Sequence, residues 1–392
     1  MPIRVFHVIT TLGRGGAERQ LVNLACNTDT KEFEHVVCYL HGPGDFAKEL
    51  EAAGHKVFCL DLPKRWPWLL SPFRLRPYLT KLKPDIIQTW LFDADLAARL
   101  SSVGTGIPII GTLHLTTYEP ETIAAGGWPS WKMPVVRMLD RVTAKLTKPL
   151  FVAVSETVRK SSIKQLGVPA SDVRVIYNSI NQETLKTSPG DSSQIRHELE
   201  IPKDSFVYVN VGRLDPQKGQ TYLLHAFKEV ATDHPDMYLA FIGEGMLRNE
   251  LQELARTLEI KQRVKFLGRR NDVGACLEIG DAFVFPSLFE GLPLAPIEAM
   301  LKGVPCIATR IGPVQEIMTD RENALLVAQG SVPELAAAMR ELYSNPGLRQ
   351  QLAERARTIA FERFDSGSGL RAWENLYREL AGNNRRDAEN AE

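Results

Sequence analysis

The sequence predicts two doubly wound α/β domains. Three observations lead there. The chain has 392 residues, more than one hydrophobic core usually serves. It carries a succession of short, uniformly apolar runs, and helical patterns separate them. A strand covered on both faces reads as a continuous apolar run, so these runs point to parallel sheets between helix layers. Regular alternation of run and helix gives the doubly wound class.

In the first half the strand candidates are Ile3–Ile9, His35–Leu40, Lys56–Leu60, Asp85–Thr89, Ile109–Leu113 and Leu150–Ala153. The second half offers Phe206–Val211, Tyr238–Ile242, Val264–Leu267, Ala282–Pro286, Pro305–Ala308 and Ala324–Val327. Helix signals fall between them. Ala17–Ala25 follows Gly15-Gly16 directly after the first strand. Ser155 is placed to cap Glu156–Leu166, which Gly167 ends. Ser331-Val332-Pro333-Glu334 has the capping-box spacing and opens Leu335–Tyr343.

Loop formers cluster in Asn178–Pro202, which reads as the linker. The domains are therefore set at 1–185 and 186–365, with a helix over 366–382. The polar end, 383–392, reads as a disordered tail.

Composition excludes several classes. Lys+Arg and Asp+Glu both number 47, so net charge argues for no nucleic-acid partner. The halves differ: residues 1–185 hold 22 basic against 17 acidic side chains, which favours an anionic partner there. The five cysteines form no CxxC pair, which fits buried thiols in a reducing compartment rather than disulfides or zinc. The N-terminus reads as a strand and not a secretory signal. No run of about 18 apolar residues marks a membrane span. The expected location is the cytoplasm.

Three constellations carry chemistry. Gly13-Arg14-Gly15-Gly16-Ala17-Glu18 joins a strand to a helix, where Gly15 and Gly16 let backbone N–H groups approach a bound group. It is not GxGxxG. Gly212-Arg213-Leu214-Asp215-Pro216-Gln217-Lys218-Gly219 ends the first strand of the second half, where open α/β sheets bind ligands. Arg213 can hold two phosphate oxygens and Lys218 adds a point charge. A diphosphate leaving group needs that neutralisation. The third runs from Phe289-Glu290-Gly291-Leu292-Pro293 to Leu294-Ala295-Pro296-Ile297-Glu298-Ala299. Its prolines suit a first helical turn, whose amides at Leu294 and Ala295 would face a phosphate. Glu290 and Glu298 can accept bonds from sugar and ribose hydroxyls.

In this order the constellations resemble the family 4 glycosyltransferases of the GT-B fold. Glu290 and Glu298 match that family's Glu-x7-Glu element. The Gly-Gly turn, the Gly-Arg-x4-Lys-Gly loop, Gly243-Glu244-Gly245, His114, Val154-Ser155, Val175-Ile176-Tyr177-Asn178 and Gly303-Val304-Pro305 match as well. The likeness spans nearly the whole chain. It implies two Rossmann-like doubly wound parallel-sheet domains facing across a cleft, with the last helix returning to the N-terminal domain. It implies that Arg213 and Lys218 bind a nucleotide-sugar diphosphate, that Glu298 holds ribose, and that Glu290 holds the donor sugar. Gly15, Gly16, Gly243, Glu244, Leu294 and Ala295 are implied on the donor, and His114 near the reaction centre. Retention of anomeric configuration is implied, with no cofactor and no metal. After Asn178 the chain departs from the family's Gly-hydrophobic-Asp with Ser179-Ile180-Asn181. Asp93-Ala94-Asp95 has the spacing of a metal-binding DxD, but its place before a helix favours N-capping.

Residues 64–83 interleave Lys and Arg with Trp66, Trp68 and Phe73 and hold no acid. Residues 131–148 add Arg137, Arg141, Lys145 and Lys148. Such surfaces suit an anionic membrane, where a glycan or lipid-linked acceptor would lie, and the expectation is peripheral attachment to its inner face. A dehydrogenase is disfavoured because the second strand ends Cys38-Tyr39-Leu40-His41, without the acid such enzymes need. A nucleotide-sugar epimerase of the same architecture and a non-catalytic nucleotide-sugar-binding protein stand as alternatives.

Overall fold

The computed structural model describes residues 2–63, 69–125, 130–188 and 190–389. The chain divides into two compact units, Met1–Ser179 with Gly367–Glu392, and Ile180–Ser366.

The first unit opens with β1 (Ile3–Ile9), α1 (Gly16–Asn27), β2 (Phe33–Tyr39), α2 (Ala47–Ala52) and β3 (Lys56–Cys59). It continues with α3 (Ser71–Leu82), β4 (Ile86–Trp90), α4 (Phe92–Ser102), β5 (Ile109–Leu113), α5 (Pro120–Ala125), α6 (Met133–Thr147), β6 (Leu150–Ala153), α7 (Glu156–Leu166) and β7 (Val173–Val175). Its strands are all parallel, in the order β3-β2-β1-β4-β5-β6-β7.

The second unit runs α8 (Asp191–Glu198), β8 (Phe206–Val211), α9 (Gln220–Ala231), β9 (Met237–Ile242), α10 (Arg248–Thr257), β10 (Val264–Gly268) and α11 (Val273–Glu278). Then follow β11 (Ala282–Phe285), α12 (Leu294–Leu301), β12 (Cys306–Thr309), α13 (Gly312–Gln315), β13 (Leu325–Val327), α14 (Val332–Ser344) and α15 (Pro346–Phe364). Its sheet is also parallel, ordered β10-β9-β8-β11-β12-β13. The chain ends in α16 (Ser366–Glu389).

Both sheets are buried on two faces, which explains the uninterrupted apolar strands. Val5 and Ile9 pack on one face of the first sheet, Phe6 and Val8 on the other. In the second unit Tyr208, Leu239 and Val284 join Leu223, Phe227 and Met339 in one core.

Two expected boundaries shift, and two elements add to the expectation. The division falls at Ser179/Ile180, not 185/186: Leu185 ends a short turn that packs on Gly274, where a Cβ would meet Leu185 O at 2.3 Å. The segment read as the linker contains α8, which is secured by the buried Ile195 and by Arg196 donating to Ile279 O at 2.6 Å. Val173–Val175 is a seventh strand, too short to stand out as a run. The helix expected over 366–382 continues to Glu389 through part of the expected tail, where no Gly or Pro stops it and Arg, Ala and Glu favour helix. That helix belongs to the first unit: Leu376 and Tyr377 enter its core, and Arg174 makes two bonds to Glu379 at 2.7 and 2.6 Å.

Candidate active site

Three loops at the carboxyl ends of neighbouring strands β9, β8 and β11 form the centre of the second unit. The strand order reverses between β8 and β11, the usual place for a ligand in an open sheet. The loops are Gly212–Gly219, Gly243–Leu247 and Pro286–Pro293, and they are bonded backbone to backbone. Leu214 N donates to Glu244 O at 3.0 Å, Leu247 N to Leu214 O at 2.9 Å, and Leu288 N to Gln217 O at 2.8 Å. Only glycine fits several of these positions. Gly243 has φ 141°, and a Cβ there would stand 2.0 Å from Gly212 O. Gly219 has φ 65°, with its Cβ position 2.2 Å from Pro286 O.

Charge is arranged on that frame. Lys218 Nζ lies 2.5 Å from Glu290 Oε1. Gln217 Nε2 donates to Phe289 O at 2.8 Å and to Glu290 Oε2 at 3.4 Å. Glu290 is buried, and the Lys218 ammonium sits 5.5 Å from the centre of the Phe285 ring. Arg213 differs: its side chain is 64% exposed and pairs with Asp215 at 3.1 Å, so it is open to an incoming anion.

Helix α12 opens directly after this loop. Pro293 is its N-cap and supplies no side-chain capping bond. Leu294 and Ala295 are the first helical residues, so their amides have no partner inside the helix and lie at its positive end. Pro296, in the first turn, removes no helical bond. Glu298 follows in the second turn, partly buried. The Glu244 carboxylate pairs with Arg248 one helical turn on, and its backbone carbonyl serves the loop frame.

The remaining candidates lie in the first unit. Gly15 is the extended N-cap of α1 and Gly16 its first, exposed residue. Thr11 Oγ1 donates to Glu18 Oε1 at 3.1 Å, and a Cβ on Gly15 would stand 2.2 Å from Glu18 Oε2. Gly15 thus makes room for a carboxylate of its own helix. His114 follows β5 and lines a small recess with Trp90, Thr112, Asn178 and Trp373. Its Nε2 is buried without a hydrogen-bond partner, and burial lowers its pKa to about 4, so the ring is neutral.

Asp93 and Asp95 do not cap α4, whose N-cap is Leu91. Asp95 accepts from Thr89 and pairs with the buried Arg99 at 3.8 Å. Arg99 also reaches Asp140 at 2.7 Å. Among the described residues no group of three or more His, Cys, Asp or Glu could hold a metal ion.

The first unit carries an apolar stripe on α6 and the turn before it. Trp131 (74% exposed), Val135, Met138, Val142 and Leu146 recur at three- and four-residue steps and all face outward. Lys132, Lys145 and Lys148 flank them. Phe73, at the start of α3, is 79% exposed. Residues 64–68, with Trp66 and Trp68, lie outside the described residues.

Sequence reasoning missed Gln217, which occupies an unspecified position of its loop, and Trp90, which reads as the apolar end of a strand. It also missed the α6 stripe, although a helical count of its apolar positions could have found it.

Comparison with known proteins settles the family. The model described as "Glycosyltransferase Family 4" matches residues 14–184, and that described as "Glycosyl transferases group 1" matches residues 191–359. An Escherichia coli UDP-Gal:alpha-D-GlcNAc-diphosphoundecaprenol alpha-1,3-galactosyltransferase is 30% identical over 284 residues, 71% of each chain. The chain belongs to the family 4 glycosyltransferases. The Rhizobium meliloti lipopolysaccharide core biosynthesis glycosyltransferase LpsE matches this glycosyltransferase at 26% identity over 347 residues, 87% of this chain and 89% of that one. The crystal structure of Anabaena Alr3699/HepE with UDP-glucose resembles it with a TM-score of 0.81 at 25% identity, covering 95% of this chain and 99% of that one. The glycosyltransferase therefore has the GT-B fold, with two parallel-sheet Rossmann-like domains. Among the described residues no helix is long and apolar enough to cross a membrane.

Proposed function

We propose that the enzyme transfers a sugar from a nucleoside-diphosphate sugar to a glycan or lipid-linked acceptor, with retention and without a metal, in cell-surface polysaccharide or glycolipid synthesis. The observation that carries this is the Lys218–Glu290 pair on its glycine frame, beside the open amides of α12. Arg213 and Lys218 supply two positive charges for a diphosphate, and the amides of Leu294 and Ala295 supply donors. Glu298 accepts from ribose hydroxyls and Glu290 from the transferred sugar. The relatives point the same way. The E. coli enzyme is named for a UDP-sugar and a lipid diphosphate acceptor, and the Anabaena structure holds UDP-glucose.

In this reading the bond from the anomeric carbon to the diphosphate oxygen breaks as the cations neutralise the leaving charge. The acceptor oxygen bonds to the same carbon on the same face, and its proton passes to the departing phosphate. Neutral His114 donates or accepts a hydrogen bond at the sugar and carries no charge there. Gly15 and Gly16 approach the donor through backbone, with Gly243 shaping its pocket. Glu244 acts on the donor only by exchanging its Arg248 partner.

Peripheral attachment to an anionic membrane belongs to the same reading, supported by the α6 stripe, its flanking lysines and Phe73. The whole is tested by a thermal-shift screen of nucleotide sugars followed by product analysis. The true donor raises the melting temperature through linkage. No shift with any nucleotide sugar, or an inverted product, overturns it.

A further inference from the structure

A buried polar seam crosses four adjacent strands of the first sheet and ends beneath His114. It starts at Thr28, whose Oγ1 lies 2.7 Å from His35 Nε2. On β2 and β1, His35 Nδ1 lies 2.8 Å from His7 Nε2. On β4, Trp90 Nε1 donates to His7 Nδ1 at 3.2 Å. The Trp90 indole then stacks on the His114 imidazole, with centroids 5.3 Å apart and planes 24° apart.

The direction of every link follows from the first donor. An indole nitrogen can only donate, so His7 Nδ1 accepts and the His7 proton is on Nε2. His7 therefore donates to His35, whose proton is likewise on Nε2 and goes to Thr28, and the Thr28 hydroxyl donates to Ala25 O at 3.4 Å. Both imidazoles are neutral, and each ring is fixed in one tautomer and one plane.

A parallel set of bonds holds the strand that carries His114. Tyr377 of α16 donates to Gln88 Oε1, and Gln88 Nε2 donates to Thr112 Oγ1 at 3.1 Å. Gln88 and Trp90 are two residues apart on β4, as Thr112 and His114 are at the end of β5, so each pair shares one face. His114 itself has no hydrogen bond at Nε2. The Trp90 stack is the ring contact beside that unpartnered nitrogen.

We propose that Trp90 is a positioning residue for sugar transfer: its indole, locked by the His7–His35–Thr28 chain, fixes the orientation of the His114 imidazole. The proposal rests on the reading of His114 as an active-site residue. A misplacement of about 1 Å at a reacting centre can cost a hundredfold in rate.

The test compares Trp90→Leu, Trp90→Phe, His7→Leu and His114→Ala in the full chain, by transfer kinetics and by NMR titration of the His114 ring. Trp90→Leu is expected to lower kcat tenfold to a hundredfold, to leave donor KM within twofold, and to raise the His114 pKa toward its ordinary value. Trp90→Phe and His7→Leu, which keep a ring under His114 but remove the lock, are expected to lower kcat threefold to tenfold and shift the His114 resonances. Wild-type kcat in these variants overturns the proposal. So does a loss of rate with an unchanged His114 titration, because that marks general damage. If Trp90→Leu does not fold, the other two variants decide. Wild-type activity in His114→Ala instead defeats the reading of His114, while a shifted His114 titration in the Trp90 variants would still show that the lock exists.

Discussion

Lys218 Nζ and Glu290 Oε1 are 2.5 Å apart on two different loops of the second unit, and both side chains are largely withdrawn from solvent. A carboxylate in that position is acceptable only while its cation is present. The pair thus supports the loop frame and holds an ammonium ready for phosphate.

Removing either partner separates these roles. Lys218→Ala leaves a buried carboxylate unpaired and is expected to cost about 3–5 kcal/mol of stability as well as donor affinity. Glu290→Gln retains the shape and accepting oxygen, and is expected to lower kcat by about a hundredfold, the scale of one lost transition-state contact. Denaturant unfolding and initial-rate kinetics check both. A Glu290→Gln enzyme with full activity would remove Glu290 from the chemistry.

Gly243→Ala is expected to abolish saturable donor binding and lower the melting temperature, because a methyl 2.0 Å from Gly212 O forces two loops apart. Isothermal titration with the nucleotide product measures the first effect. Unchanged binding would mean that the loop contact is dispensable.

Asp95 gives a pH dependence with a definite sign. Burial raises its pKa to about 7, against the lowering influence of Arg99 and of its bond from Thr89. The folded state therefore holds this proton more tightly than the unfolded chain does. The stability it contributes is complete below the ordinary carboxylate pKa and is lost as pH rises through about 7. The stability difference between wild type and Asp95→Asn should shrink from pH 4 to pH 7.5. A difference that grows over this range contradicts the burial of a protonated Asp95.

The α6 stripe predicts salt-sensitive adhesion. Wild-type protein should co-sediment with vesicles containing anionic lipid at low ionic strength. A Val135→Asp, Met138→Asp double variant should stay in the supernatant and remain folded, because both residues face outward. Equal partition of the two proteins would remove α6 as the contact.

Much of this was legible in the sequence because strands buried on both faces leave an unmistakable apolar record. Ser155 and Ser331 cap their helices as the spacing predicted, bonding to Val158 N and Glu334 N. The loop containing Arg213 and Lys218 and the loop containing Glu290 were readable as motifs. Their direct ion pair was not, since 71 residues separate Lys218 from Glu290 and only the sheet order makes β8 and β11 neighbours. The Arg248 partner of Glu244 was not readable either, because the sequence shows a carboxylate beside two glycines without showing that Arg248 lies within reach one turn later. Phe73 faces outward, as the basic and aromatic surface read over 64–83 requires, but the outward turn of Trp131 was hidden, since an aromatic residue on a helix reads the same whether it faces core or solvent.

Helix α16 places Tyr377 and Leu376 in the core that β1 begins. On the ribosome the opening residues must therefore wait for the closing ones. The unit formed by Ile180–Ser366 is fully synthesised, and free to fold, before its predecessor can seal its own interior. A premature stop between residues 366 and 376 should release a chain with one finished half and one sticky half, a natural target for chaperones and proteases.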